Sequence, residues 1–123
     1  MENYYFIGID VSKRNLECCL LSNGSVVKQD VIVNHPKSIQ RYLSEICSEY
    51  CVDPNCVVIC AEYTGMYIYS LTVACQSKSC KLWMEYPTQI KYSSGLQRGK
   101  NDTIDAKRIA LYAFCYYDRM KVY

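Results

Sequence analysis

Tyr4-Tyr5-Phe6-Ile7-Gly8-Ile9-Asp10-Val11 is the stretch on which the fold turns. Nearly every position is aromatic or β-branched, and both alternating faces are apolar. That pattern predicts a central strand covered on both sides. Asp10 is out of place in it, because a carboxylate near the end of a buried strand is costly unless it is paired or binds a cation. A second acid shares this predicament. Cys56-Val57-Val58-Ile59-Cys60-Ala61 is another continuous apolar run, and it ends in Glu62. Ligand sites in open α/β sheets lie at the carboxyl ends of strands.

Between these two strands the chain reads in order. Ser12-Lys13-Arg14-Asn15 is a tight turn, residues 16–21 pair back as a second strand, and Asn23-Gly24 signals a hairpin into a third strand over residues 26–33. After Asn34-His35-Pro36, the apolar positions Ile39, Tyr42, Leu43, Ile46 and Cys47 recur at helical spacing and predict an amphipathic helix of about 15 residues. His35 is read as a loop residue at its start, not as a ligand. Asp53-Pro54-Asn55 breaks the chain before the strand that ends in Glu62.

Beyond Glu62, Tyr63-Thr64-Gly65 turns the chain into a short buried helix over residues 66–77, and residues 81–85 (Lys-Leu-Trp-Met-Glu) make a fifth strand closed by Tyr86-Pro87. Thr88 caps a further helix or irregular segment over residues 89–96. Next comes a basic, glycine-containing turn, Arg98-Gly99-Lys100-Asn101, with Asn101 placed to cap a last helix over residues 102–116. That helix is expected to bury Ile104, Ile109, Leu111, Tyr112 and Cys115. Three antiparallel strands followed by alternating helices and strands give a mixed five-stranded α/β sheet flanked by helices.

Asp102 and Asp105 are three residues apart in that last helix, which puts both carboxylates on one face. Acids in a first turn also complement the helix dipole, so the pair alone says little. In the layout above, however, Asp10 and Glu62 are neighbours and the closing helix brings Asp102 and Asp105 to them. Four carboxylates cannot stay ionised together without cations. Mg²⁺ prefers a few carboxylates with waters and substrate phosphates, and two such ions about 3.5–4 Å apart suit phosphodiester displacement.

Composition narrows the class. With 123 residues, half of them hydrophobic, the chain suits one domain with a real core. No apolar run approaches the roughly 18 residues that span a bilayer, and the N-terminus lacks the basic region and cleavage site of a signal peptide. A cytoplasmic protein is expected. The nine cysteines are odd in number, lie within apolar patterns and show no Cys-x-x-Cys; with a single histidine, neither a disulfide framework nor a structural zinc site is indicated. Cys47 and Cys51, four apart, are read as packing residues. The net charge of +2 is uneven: residues 1–90 carry seven Lys/Arg and nine Asp/Glu (net −2), and residues 91–123 carry seven and three (net +4). A local basic surface suits a phosphate-rich partner. Lys100, Arg98, Lys107 and Arg108, together with Lys13 in the turn after Asp10, are the candidate phosphate contacts.

Gly8-Ile9-Asp10-Val11-Ser12-Lys13, then Glu62-Tyr63-Thr64-Gly65 with Tyr69 and Leu71, then Lys100-Asn101-Asp102-Thr103-Ile104-Asp105-Ala106 resemble the DEDD transposases of the 110-type bacterial insertion sequences. The resemblance covers nearly the whole chain. It implies a RuvC-like domain of the ribonuclease H fold over residues 1–117, with residues 118–123 beginning a linker to a C-terminal domain that carries a nucleophilic serine. It implies Asp10, Glu62, Asp102 and Asp105 as a catalytic, Mg²⁺-binding tetrad, with Mn²⁺ as a substitute and a site that stays empty without nucleic acid. It further implies DNA as substrate, an element-encoded guide RNA and a homo-oligomer. The family usually carries Asn-Pro where this chain has Tyr86-Pro87.

Two other readings belong to different classes. A Holliday-junction resolvase would be complete in one domain of this fold; a non-catalytic module would bind guide RNA or dimerise. An ATP-binding domain of the actin or sugar-kinase type also starts Gly-Ile-Asp, but it needs a glycine-rich phosphate loop where this chain has Val11-Ser12-Lys13-Arg14. A tyrosine nucleophile of the recombinase kind would need an Arg and His cluster, and the thirteen tyrosines are accompanied by one histidine.

Overall fold

Residues Tyr5–Val11 form β1, Asn15–Ser22 form β2 and Ser25–Val33 form β3 of a computed structural model that describes residues 4–63, 65–86, 90 and 105–120. The β2–β3 hairpin closes on Asn23 (φ 53°) and Gly24 (φ 82°), with Ser22 paired to Ser25. Both central residues are left-handed, the conformation that an Asn-Gly pair adopts at least cost and that matches the twist of the strands.

Helix α1 spans Pro36–Glu49. Proline stands in its first turn, where a missing N–H costs nothing, and His35 is its N-cap, its Nδ1 accepting from Lys37 N at 3.2 Å. Ile39, Tyr42, Leu43 and Ile46 are its buried stripe. Strand β4 (Val57–Glu62) leads through a 3-10 turn (Gly65–Ile68) into α2 (Tyr69–Lys78), and β5 covers Lys81–Glu85. The helix expected from residue 66 therefore begins with a tighter turn and becomes α-helical at Tyr69.

The strand order is β3-β2-β1-β4-β5. β1 pairs antiparallel with β2 and parallel with β4, and β4 pairs parallel with β5. The fold is thus the mixed five-stranded sheet with its first three strands antiparallel. On one face Ile7, Ile9, Leu16, Leu20, Ile59 and Leu82 pack with α1 and α2. On the other, Phe6, Cys19, Leu21, Val58 and Trp83 pack with the last helix, α3 (Ala106–Cys115). Each large apolar side chain buried this way contributes about 1.5–3 kcal/mol.

Helix α3 departs from expectation at its start and on its buried face. It begins at Ala106, and Asp105 is its N-cap, in extended conformation (φ −85°, ψ 172°). Asp105 therefore does not sit within a first helical turn. The expected cap Asn101, along with Asp102 and Ile104, lies outside the described residues, as does most of the 89–96 segment. Ala106, Ile109, Ala110, Tyr112 and Ala113 are buried, while Leu111 is half-buried and Cys115 exposed. The alanines take the inner face because backbone proximity, not side-chain bulk, is what β1 requires there. All nine cysteines are free. Tyr117–Arg119 forms a closing 3-10 turn, with the Arg119 guanidinium 4.4 Å from the Tyr116 ring centre.

Candidate functional site

Residues alternate between the two faces of a strand. In β1, Ile7, Ile9 and Val11 belong to the α1/α2 core and Phe6 to the α3 core, so Asp10 lies on the α3 face. The same alternation puts Glu17 of β2, Glu62 of β4 and Glu85 of β5 on that face, between or beyond residues of the α3 core such as Cys19, Cys60 and Trp83. The register lines them up. Asp10 pairs with Glu17 and Glu62 pairs with Glu85. Ile9 pairs with Ala61, so Asp10 and Glu62 follow as the next residues of two parallel neighbours. A row of carboxylates, Glu17-Asp10-Glu62-Glu85, therefore crosses four strands at the carboxyl ends of β1, β4 and β5.

Helix α3 meets this row at its N-terminus. Asp105 Oδ1 accepts from Arg108 N at 2.9 Å, which caps the helix and holds the carboxylate where the helix dipole favours negative charge. Asp10 is partly buried and its carboxyl is held above the ordinary carboxylate range, first by burial, then by the charges of Glu17 and Asp105. Asp10, Glu17 and Asp105 thus share one electrostatic neighbourhood. An open groove of about 390 Å³ runs beside it, lined by Glu17, Gln29, Val31, Asp105 and Lys107 among others.

Glu85 plays a different part. Its Oε2 accepts from Trp83 Nε1 at 3.2 Å and from the Tyr112 hydroxyl at 3.0 Å, joining β5 to α3. The Tyr112 hydroxyl is pushed well above its ordinary pKa, by burial first and then by its hydrogen bond to Glu85, so it stays protonated and donates. Sequence reasoning missed Glu17 and Glu85. Placing every strand acid by its period of two and by strand register would have found both.

The turn after β1 is braced. Ser12 Oγ donates to Asn15 O at 2.8 Å, and Asn34 Nδ2 donates to Ser12 O at 2.9 Å and to Tyr67 O at 3.1 Å. Asn34 thereby ties the loop following Asp10 to the segment following Glu62. Lys13 lies exposed in that turn; Lys107 is exposed and Arg108 half-exposed in the first turn of α3. Arg98, Lys100 and Asp102 lie outside the described residues.

Burial raises the Cys18 thiol to about 12 and pushes the Cys60 and Cys75 thiols higher still, which leaves these cysteines as packing groups without nucleophilic character. Among the described residues no group of three or more His, Cys, Asp or Glu is set closely enough to hold a metal ion. The donor chemistry at Asp10 and Asp105 nevertheless suits a hard cation: both are carboxylates, and one raises the pKa of the other, a repulsion that a bound cation relieves. No described helix is long and apolar enough to cross a membrane.

No curated protein matches the chain. Among solved structures, Thermus thermophilus RuvC in complex with a Holliday junction substrate aligns with a TM-score of 0.63 at 14% identity, covering 94% of this chain and 95% of that one. A second Thermus thermophilus RuvC structure aligns at 0.63 and 15% identity, covering 97% and 99%. The fold is RuvC-like, of the ribonuclease H type. A family model described as transposase, for the DEDD transposases of the IS110 type, matches residues 7–123. The chain belongs to that transposase family.

Proposed function

We propose that this chain is the Mg²⁺-dependent DNA strand-cleavage and strand-transfer domain of a bacterial cytoplasmic transposase, with Asp10, Glu62, Asp102 and Asp105 as its acidic tetrad. The observation that carries the reading is the register that sets Asp10 and Glu62 on adjoining strand ends, with Asp105 near enough to perturb Asp10. Asp10 and Asp105, 95 positions apart in the chain, share one electrostatic neighbourhood at the strand end that Glu62 adjoins. Structural packing alone gives no reason to crowd like charges there.

In this reading Asp10, Glu62, Asp102 and Asp105 are the residues that would hold the cation, drawn together around it with the substrate phosphate. A Mg²⁺ ion held there would supply charge stabilisation for a phosphodiester displacement, and Mn²⁺ would serve in its place. Asp105 is held in place through Oδ1, which accepts from Arg108 N. Lys13, Lys107 and Arg108, with Arg98 and Lys100, contact phosphates and fix the strand without reading its sequence. A C-terminal serine-bearing domain, an element-encoded guide RNA and a second copy of the protein complete the machinery.

Fluorescence anisotropy with branched and linear DNA tests this reading. Affinity should rise with Mg²⁺ or Ca²⁺ over EDTA in the wild type, and this metal dependence should be lost in Asp10→Ala. Binding that ignores both the metal and the substitution would overturn it.

A further inference from the structure

Glu62 and Glu85 pair at the ends of β4 and β5, and each is followed by a tyrosine. Tyr63 and Tyr86 are 50% and 67% exposed, with ring centroids 6.0 Å apart and planes tilted by 48°. The backbone beneath them is fixed. Tyr63 N donates to Glu85 O at 2.8 Å, and Tyr86 N donates to Glu85 Oε1 at 3.3 Å. Glu85 is in turn anchored by Trp83 and Tyr112. Two phenol rings are thus held together in solvent on an ordered strand end, and Met66, Tyr67 and Tyr69, all exposed, continue the surface along the next turn.

Aromatic rings usually bury much of their area in a core or an interface. A rigid exposed pair is therefore a surface waiting for a planar, apolar face. The neighbours decide which kind. Protein interfaces exclude charge from their cores, and this pair stands one residue beyond a row of carboxylates. A nucleic-acid strand meets both at once: its backbone phosphate would reach the carboxylates through the cation proposed above, and the face of a base stacks on an aromatic ring.

We infer that Tyr63 and Tyr86 form a platform on which an unpaired nucleobase of the nucleic-acid substrate stacks, next to the carboxylates that handle its phosphate. The inference rests on the function proposed above and adds a binding site to it. Because stacking uses the ring face, the hydroxyls are dispensable, and the platform favours single-stranded or splayed DNA over paired duplex.

The test uses the full chain with Ca²⁺, a labelled single-stranded oligonucleotide and a paired duplex of the same sequence. Tyr63→Ala and Tyr86→Ala should each weaken single-strand binding by roughly 5- to 150-fold, the range for alanine at base-stacking aromatics. Duplex affinity should hold. Tyr63→Phe and Tyr86→Trp should retain binding, and unchanged circular dichroism and melting in all four variants show that these exposed rings do not carry the fold. Wild-type binding that both alanine variants reproduce would overturn the platform. So would unchanged DNA affinity coupled with a changed sedimentation coefficient, which would give the patch to a second copy of the chain. A wild type that binds no DNA at all would instead strike the proposed function itself, and the platform would fall with it.

Discussion

Gly8 of β1 and Ala110 of α3 are in backbone contact: a Cβ built on Gly8 would overlap the Ala110 nitrogen and the Ala106 carbonyl oxygen and would lie 2.8 Å from the Ala110 Cα. Helix and strand approach as closely as two backbones can, two residues before Asp10 and immediately after Asp105.

Gly8→Ala should therefore destabilise the domain. Overpacking against backbone costs about 1–3 kcal/mol, more than the roughly 0.4–1 kcal/mol that a Gly-to-Ala change gains by restricting the unfolded chain. Urea denaturation should show the midpoint falling. The same substitution should also move Asp105 away from Asp10 and lower the Asp10 pKa, which a carboxyl NMR titration would detect.

That contact also shows which parts of the fold were legible in the sequence. The strands were, because apolar runs such as Val57-Val58-Ile59-Cys60-Ala61 have one stable use, and Asn23-Gly24 has one common turn. The acid at each strand end was visible as a violation of its own pattern. What stayed hidden depended on distance between elements. Bulk favours Leu111 and Cys115 over Ala106, Ala110 and Ala113 for the buried face, since nothing local says that a glycine in β1 awaits small residues. Glu17 carries no local signal of its own; only strand register sets it opposite Asp10. Spacing alone predicts a helical Asp105, whereas its side chain accepts from Arg108 N and opens the helix as its N-cap.

Glu85 and Tyr112 supply a second prediction. Glu85→Ala removes the acceptor shared by the Tyr112 hydroxyl and Trp83 Nε1. Leaving buried donors unpaired costs about 1–3 kcal/mol, so the variant should unfold at lower urea. Tyr112→Phe removes one donor along with its need, and should cost about 1 kcal/mol or less. A double-mutant cycle should give a non-zero coupling between the two positions. Additive effects would refute the link between β5 and α3.

The raised pKa of Asp10 makes stability depend on pH in a stated direction. With the folded-state pKa above the unfolded value, the folded protein binds the proton more tightly, so Asp10 costs stability as pH rises through that interval and leaves none of this cost below it. Asp10→Asn should thus stabilise the metal-free protein at neutral pH, by no more than about 1 kcal/mol given partial solvent screening, and the gain should vanish in acid below the ordinary carboxylate range. Glu17→Gln removes the neighbouring charge that acts more strongly on Asp10 than Asp105 does, and should lower the Asp10 pKa. Melting curves between pH 3 and pH 8, two settings chosen roughly to bracket the carboxylate range, would read both effects.

Cation sharing among distant acids is the central claim, and Mn²⁺ titration calorimetry in the presence of a DNA oligonucleotide tests it most directly. Wild-type protein should take up Mn²⁺, and Asp10→Ala and Asp105→Ala should each weaken uptake by at least about tenfold, or about 1.4 kcal/mol, while remaining folded. Equal Mn²⁺ affinity in the wild type and both variants would contradict it.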